Sequence, residues 1–322
     1  MPSFRRLAIQ VGIVGTRMKD IHLITGGAGF IGSHLADALS ALDCNVRVLD
    51  DLSTGRLDNL HGVADRIELI TGSVADSSIV ERAMSGVGVV YHLAARASVQ
   101  LSVEQPMTTH AINVGGSLHV LDAARRLGVR RVVVAASSSA YGASNKEVQS
   151  EDDPLEPLSP YAADKLSVEM YAKAYARTYG LETVCLRFFN VFGPRQRDDS
   201  PYSGVIALFS AALKAGQRPT IYGDGLQSRD FVFVADAVQA LIKAGSATHV
   251  SGRIFNIGTG KRTTIVDLLA ALNHRYQTNI EPVYAPARAG EVRHSCADIR
   301  RARKELGYEP SFTLAEGLAR LP

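Results

Sequence analysis

Tyr161 and Lys165 stand four residues apart in a stretch, 161–179, that reads as a helix, so their side chains share one face. A tyrosine phenol ordinarily ionises at a pH of about 10. A neighbouring ammonium stabilises the phenolate and brings that value toward neutrality. The pair then makes a general base for a substrate hydroxyl. Ser137-Ser138-Ser139 follows the apolar run 131–136 and offers a hydroxyl that can hydrogen-bond the same substrate oxygen. A Y-x-x-x-K spacing also arises by chance, from a packed tyrosine beside a surface lysine. What lies upstream separates the two cases.

Upstream is Thr25-Gly26-Gly27-Ala28-Gly29-Phe30-Ile31-Gly32, preceded by the apolar run 21–24 and followed by the helical pattern 33–39. Strand, glycine turn and helix form a dinucleotide-binding context, here with the spacing G-x-x-G-x-x-G at Gly26, Gly29 and Gly32. Glycines permit a tight turn and a close approach of backbone to a pyrophosphate, which then meets the unpaired N–H groups of the helix N-terminus. The next strand, 45–49, ends in Asp50, 18 positions after Gly32. A carboxylate there accepts hydrogen bonds from the adenosine ribose and repels the extra phosphate of NADP, so the expected cofactor is NAD. The simpler role for Asp50 is a strand-end turn residue. Leu93-Ala94-Ala95, closing the apolar run 87–95, supplies a small-residue floor on which a flat cofactor can lie. A positively charged nicotinamide near Tyr161 would stabilise its phenolate further.

These residues need a frame. Strands are expected at 67–70 and 131–136, and helices at 77–84 and 105–127, the latter with an apolar stripe through Ala111, Val114, Leu118 and Leu121. The alternation predicts an α/β chain: a Rossmann, doubly wound parallel sheet over 18–187. A smaller, mixed α/β C-terminal lobe is expected over 188–322, with some of that chain returning to the sheet. There, helices are expected at 204–215, 234–245, 263–274 and 298–306, and strands at 230–233, 253–257 and 281–284. Residues 1–17 read as an extension outside the fold.

The chain has 322 residues and a net charge of +3, all of which Arg5, Arg6 and Arg17 account for. The neutral body gives no support to a nucleic-acid partner. No apolar run reaches the about 18 residues of a membrane span. Cys44, Cys185 and Cys296 are scattered and odd in number, which points to a reducing, cytoplasmic compartment without disulfides. No metal-ligand spacing is present, and the histidines read as structural.

Together the glycine stretch, the serine loop, Tyr161/Lys165 and the segment 187–193 resemble the extended short-chain dehydrogenase/reductase family. Within it the chain is most similar to bacterial nucleotide-sugar 4-epimerases of the UDP-glucose and UDP-N-acetylglucosamine type, over about residues 20–317. The resemblance implies NAD held by Gly26, Gly29, Phe30, Ile31, Gly32, Asp50, Leu93, Ala94 and Ala95, with Tyr161 and Lys165 beside it. Ser73 stands where the family often has an adenine-contacting acid. Tyr161 would be the base, Lys165 its electrostatic partner and Ser137 the catalytic serine. Ser138 and Ser139 would be substrate-side neighbours. The substrate would be a UDP-sugar contacted by Ala97, Ser98, Asn190, Arg229, Arg288, Glu291 and Ser295. Arg229 and Arg288 would clamp the diphosphate, and Glu291 the uridine ribose.

The implied reaction removes the proton of the sugar 4-OH, passes through a 4-ketose and inverts that carbon, with NAD regenerated in each turnover. Ser138-Ser139 stands where the related 4,6-dehydratases carry an Asp-Glu acid pair. Ser295 matches a gate that is large in strict UDP-glucose epimerases. The small residue leaves room for an N-acetyl group and favours UDP-GlcNAc/UDP-GalNAc, with UDP-Glc/UDP-Gal open as further substrates. A UDP-uronic acid 4-epimerase or decarboxylase shares the scaffold. A non-catalytic NAD-binding sensor would be expected to lack Tyr161 and Lys165. The family also implies a homodimer through helices 105–127 and 158–179.

Overall fold

The computed structural model describes residues 20–144, 146–197, 204–287 and 292–322. The expected extension at 1–17, and Arg288 and Glu291, lie outside the described residues.

Six strands alternate with helices through the first part of the chain: β1 (Ile21–Thr25), β2 (Asn45–Asp50), β3 (Ile67–Thr71), β4 (Val87–His92), β5 (Arg131–Ser137) and β6 (Glu182–Phe188). The helices between them are α1 (Phe30–Ala41), α2 (Ser77–Met84), α3 (Val99–Glu104), α4 (Pro106–His110), α5 (Gly116–Arg126) and α6 (Pro160–Tyr179). Short strands β7 (Asn190–Phe192), β8 (Thr220–Tyr222), β9 (Ser228–Arg229) and β10 (Phe231–Phe233) follow, then β11 (Arg253–Ile257), β12 (Thr263–Thr264), β13 (Val283–Ala285) and β14 (His294–Ser295). With them come α7 (Val205–Lys214), α8 (Val234–Ser246), α9 (Ile265–Tyr276) and α10 (Leu314–Leu318).

The central sheet has seven strands in the order β11-β6-β5-β4-β1-β2-β3, with every adjacent pair parallel. Parallel strands need crossovers, and the crossover helices cover both faces, so the strands are apolar on both sides. Ile24, Val48, Val89 and Val133 pack with Leu35 and Leu39 of α1 and Val238 and Leu241 of α8. Leu23, Leu49, Val90 and Val132 point to the opposite core, with Val80 of α2, Leu121 of α5 and Val168 of α6. A third cluster, around Phe192, Phe209, Phe231, Phe233 and Leu268, builds the C-terminal lobe.

Several element boundaries differ from the sequence expectation, each for a local reason. The helix expected at 105–127 is interrupted. Pro106 starts a new helix after α3, and a π-helical turn at Ala111–Gly115 separates α4 from α5. The strand expected at 87–95 ends at His92, because the Thr25 hydroxyl takes the hydrogen bond from the Ala94 N–H at 3.3 Å. The strand expected at 230–233 begins one residue later, at Phe231, because the Asp230 carboxylate turns inward to the Thr259 and Gly260 N–H groups, and the short strand β9 precedes it. The helix expected from 263 begins at Ile265, because Thr263–Thr264 pairs with β9 and the Thr264 hydroxyl caps α9 by accepting from the Asp267 N–H.

Candidate active site

A cleft of about 620 Å³ opens at the carboxyl ends of the sheet strands, where the chain order reverses between β1 and β4. This is the position at which open α/β sheets bind ligands. Gly26, Gly29, Phe30, Ile31, Gly32, Asp50, Leu93, Ala94 and Ala95 all line it, as do Ser137, Tyr161 and Lys165. Residues from both sides of the sequence argument therefore meet in one cavity.

The glycine turn fits tightly. A Cβ on Gly32 would lie 2.2 Å from the Gly26 carbonyl oxygen. Gly26 has φ +73°, and a Cβ there would meet the Ala94 N at 2.8 Å, so this glycine lets β1 turn against the exit of β4. Gly29 caps α1 without any side-chain hydrogen bond, and no acid stands in the first turn. The first N–H groups of the helix and its dipole thus remain available to an anion at the cleft wall.

Asp50 is 7% exposed and accepts the Ala28 N–H at 2.9 Å and the Leu52 N–H at 2.8 Å. Burial pushes its carboxyl up from the usual carboxylate range, against these N–H donors. Each oxygen keeps a second lone pair, which suits the hydroxyls of a ribose. The tight turn, the uncapped helix start and this carboxylate fit a dinucleotide.

Pro160 occupies the first turn of α6, and the Ser159 hydroxyl caps it by accepting from the Ala162 N–H. The Lys165 Nζ, on this helix, donates to the Ala135 carbonyl at 2.8 Å and lies 6.0 Å from the centre of the Tyr161 ring. Burial pushes the Lys165 ammonium down to about 8, opposed by Glu169, Asp164 and Cys185. Burial also raises the Tyr161 phenol, and its hydrogen bond with Ser137 pulls it down. The phenol in the protein alone is therefore shifted up, opposite to the expected shift, because burial outweighs its polar neighbour.

Beneath Lys165, Arg187 makes a two-pronged pair with Glu169, at 2.9 and 2.7 Å, with side chains 1% and 0% exposed. The Arg187 guanidinium also stacks over Tyr141, 4.9 Å from its ring centre.

A second buried network supports the exit of β4. His92 bonds the Thr25 hydroxyl at 2.7 Å and the Ser117 hydroxyl at 2.8 Å. Burial, with Lys165 nearby, lowers its ring to about 3, so it is neutral. Ser117 donates to the Asn113 carbonyl, and the Asn113 side chain accepts the Arg96 N–H at 2.8 Å. Asn113 comes from the π-helical turn. The sequence reading missed it, along with Arg96, Arg195, Gln196 and Arg197, which also line the cleft. The only sequence signal near the last three was the turn-rich segment 188–196, which holds Arg195 and Gln196 and stops just before Arg197.

The other expected substrate residues divide. Ala97 and Ser98 line the cleft, and the Ser98 hydroxyl also caps α3 by accepting the Leu101 N–H at 3.1 Å. Ser138 and Ser139 stand in the 3-10 turn after β5, outside the lining, with the Ser139 N–H bonded to the Ser137 hydroxyl at 3.2 Å. Asn190 begins β7 and its amide donates to the Asp230 carbonyl at 3.3 Å. Arg229 and Ser295 are register partners on β9 and β14. These three are in the C-terminal lobe and do not line the described cleft. Gly72 and Val74 line it but Ser73 does not; its hydroxyl instead accepts the Ala75 N–H at 3.2 Å. Among the described residues no group of histidines, cysteines and acids could hold a metal, and no helix is long and apolar enough to cross a membrane.

Comparison with known proteins agrees with this geometry. The profile of the NAD dependent epimerase/dehydratase family matches residues 22–258. The UDP-glucose 4-epimerase of Mycolicibacterium smegmatis is 42% identical over 92% of this chain and 96% of its own. The UDP-N-acetylglucosamine 4-epimerase of Methanobrevibacter ruminantium, solved in complex with UDP-N-acetylmuramic acid, superposes with a TM-score of 0.89. It is 36% identical and covers 94% of this chain and 96% of its own. UDP-glucuronic acid decarboxylase 1 of Arabidopsis thaliana is 33% identical over 97% of this chain and 71% of its own length.

Proposed function

Because the chain belongs to the NAD-dependent epimerase/dehydratase family, we propose that it inverts C4 of a UDP-linked sugar, with UDP-N-acetylhexosamines as preferred substrates. The observation that carries this reading is the meeting of Tyr161, Lys165 and Ser137 with the dinucleotide turn in one cleft. NAD, when bound, supplies the acceptor and donor of the hydride. Gly26, Gly29, Phe30, Ile31, Gly32 and Asp50 would hold it.

Tyr161 takes the proton of the sugar 4-hydroxyl and later returns it, and Ser137 fixes the orientation of both oxygens. Lys165 supplies positive charge that favours the phenolate during transfer. Ser138 and Ser139 are alcohols and do not serve as general acids for loss of water. Ser295, the register partner of Arg229, would be the gate whose small side chain admits an N-acetyl group. In the same reading, 18–187 is the NAD-binding part and 188–322 is mainly the substrate-binding lobe, with β11 returning to the sheet. Asn190, Arg229, Arg288, Glu291 and Ser295 hold the UDP-sugar.

Val103 and Met107, 62% and 79% exposed on α3 and α4, and Met170 and Tyr171 on α6 support a homodimer through these helices. The three cysteines form no disulfide, which suits a cytoplasmic enzyme.

One observation favours a second substrate class. Arg96 lines the cleft, is half-buried, and has no carboxylate partner among the described residues. A guanidinium so placed suits the carboxylate of a UDP-uronic acid.

The test is incubation with UDP-glucose, UDP-GlcNAc and their uronic acids, followed by analysis of the sugar products. Unchanged mass with inversion at C4 is expected; loss of water or CO2 would refute the epimerase reading. Ser295→Tyr should selectively remove activity on N-acetylated sugars, and equal loss on both classes would refute the gate.

A further inference from the structure

His34 and Asp37 lie in the body of α1, past its cofactor-facing first turn, and neither lines the cleft. Both reach outward to the segment 193–197. The Pro194 carbonyl, which can only accept, bonds the His34 Nε2 at 2.9 Å, so this nitrogen carries the ring proton. The Arg195 guanidinium donates to the Asp37 carboxylate at 2.8 Å, with side chains 28% and 19% exposed.

The segment is pinned at its other end as well. Gly193 has φ +155°, and a Cβ there would meet Val234 of α8 at 2.6 Å. Arg195 itself has φ +66°, a left-handed conformation that a non-glycine residue keeps only where its surroundings hold it. Three consecutive residues of this segment, Arg195, Gln196 and Arg197, line the cleft that Phe30 and Ile31 of the α1 first turn also line. One stretch of the C-terminal part is thus fastened to the body of the helix whose start meets the cofactor.

We propose that residues 193–197 form a strap that retains the dinucleotide in its cleft, with Asp37 and His34 as the positioning residues that fasten it. The strap crosses from the sheet to the outer side of α1, so NAD leaves only when the Pro194 and Arg195 contacts open. Neither anchor lines the cleft; Asp37 acts on retention through the strap, whereas the His34 ring also packs edge-on against Phe30, 6.0 Å between ring centres, so Asp37 is the deciding anchor. The inference concerns NAD and holds for any sugar the enzyme uses.

The experiment loads the full-length protein with isotopically labelled NAD, adds excess unlabelled NAD, and follows label loss by desalting and mass spectrometry. Asp37→Asn removes the charge and keeps the size. It should release NAD on the order of tenfold faster, the share of one charge-assisted hydrogen bond. His34→Gln should accelerate release as well, and Asp37→Glu should restore much of the retention. The melting temperature of the NAD-free variants should stay near that of the parent. Release at the parent rate in both variants would overturn the proposal. So would faster release matched by an equal loss of stability in the NAD-free form, which would mark a loosened fold. Absence of sugar epimerisation in all proteins would bear on the substrate reading and leave this comparison intact.

Discussion

Glu169→Gln tests how Lys165, the proposed electrostatic partner of Tyr161, is held charged. Glu169 is fully buried one helical turn beyond Lys165 and shares two hydrogen bonds with the equally buried Arg187. Removing its charge strands the guanidinium, whose Nη1 already lacks a partner among the described residues. Breaking a buried ion pair from one side costs about 3–5 kcal/mol, and in a chain of this size that lowers the melting temperature by about 4–7 °C.

The chemistry should shift too. Burial has already lowered Lys165 to about 8, and Glu169 is the leading influence opposing that fall. The other groups facing Lys165 are Asp164, Cys185, His92 and Tyr161, and all stay in place. Without Glu169 the ammonium loses its proton at lower pH. The alkaline fall in kcat, expected near pH 8 in the parent, should therefore move to lower pH. Thermal unfolding and a pH–rate profile measure the two effects. Glu169→Leu with Arg187→Met removes both charges and should recover much of the stability, since burying neither ion can be as stable as burying both. It should not recover the alkaline limb. If Glu169→Gln melts with the parent, or leaves the limb in place, the buried pair does not support Lys165.

Three other outcomes follow from the geometry. Gly32→Ala places a Cβ 2.2 Å from the Gly26 carbonyl; it should abolish NAD binding and lower the melting temperature, measured as bound NAD per chain and by calorimetry. Asp236 is fully buried, and burial raises its carboxyl to about 6 against the Ser311 and Phe312 N–H groups. Its contribution is fully present below pH 3.8 and lost as pH rises through 6, a loss of about 3 kcal/mol that urea unfolding of the parent should show and Asp236→Asn should not. Val103→Lys with Met107→Lys should yield a monomer in sedimentation velocity; a dimer of unchanged mass would remove α3 and α4 from the subunit interface.

The parts of the site that were legible in the sequence are those whose geometry is local. The glycine turn needs only neighbouring residues to place a pyrophosphate at a helix start, and Tyr161 and Lys165 share a face because four residues make about one turn. The parallel, doubly wound sheet was legible because apolar runs alternate with helical patterns long enough to serve as crossovers. Asn113 was invisible because its function depends on a π-helical turn that no periodicity announces. Asp37 and Arg195 lie 158 positions apart in the chain, so no local pattern connects them. The short strand β9 carries no signal in the sequence, and β10 begins at Phe231 because a tertiary contact of the Asp230 carboxylate sets its start.

That contact helps to hold together a lobe of such short elements, among them those that carry the residues proposed to meet substrate. The Asp230 carboxylate is fully buried and accepts the Thr259 N–H at 2.8 Å, the Gly260 N–H at 2.9 Å, the Ala297 N–H at 3.1 Å and the Thr259 hydroxyl at 2.6 Å. Its own carbonyl accepts the Asn190 N–H at 3.0 Å. Arg229 precedes it directly, and Ser295 lies two residues before Ala297. Burial raises this carboxyl while the Thr259, Ala297 and Gly260 donors lower it, and through them the carboxylate ties its own segment to residues 259–260 and 297. The cofactor turn is fixed by close backbone packing at Gly26 and Gly32. The C-terminal lobe is held by its apolar cluster around Phe192, Phe209 and Phe231 and by the desolvated Asp230 carboxylate. The two frames meet at β7 and at the 193–197 strap that follows it. In the proposed reading, in which Arg229 and Ser295 hold the sugar nucleotide, changes there leave the glycine turn untouched, provided Asp230 and the strap are kept.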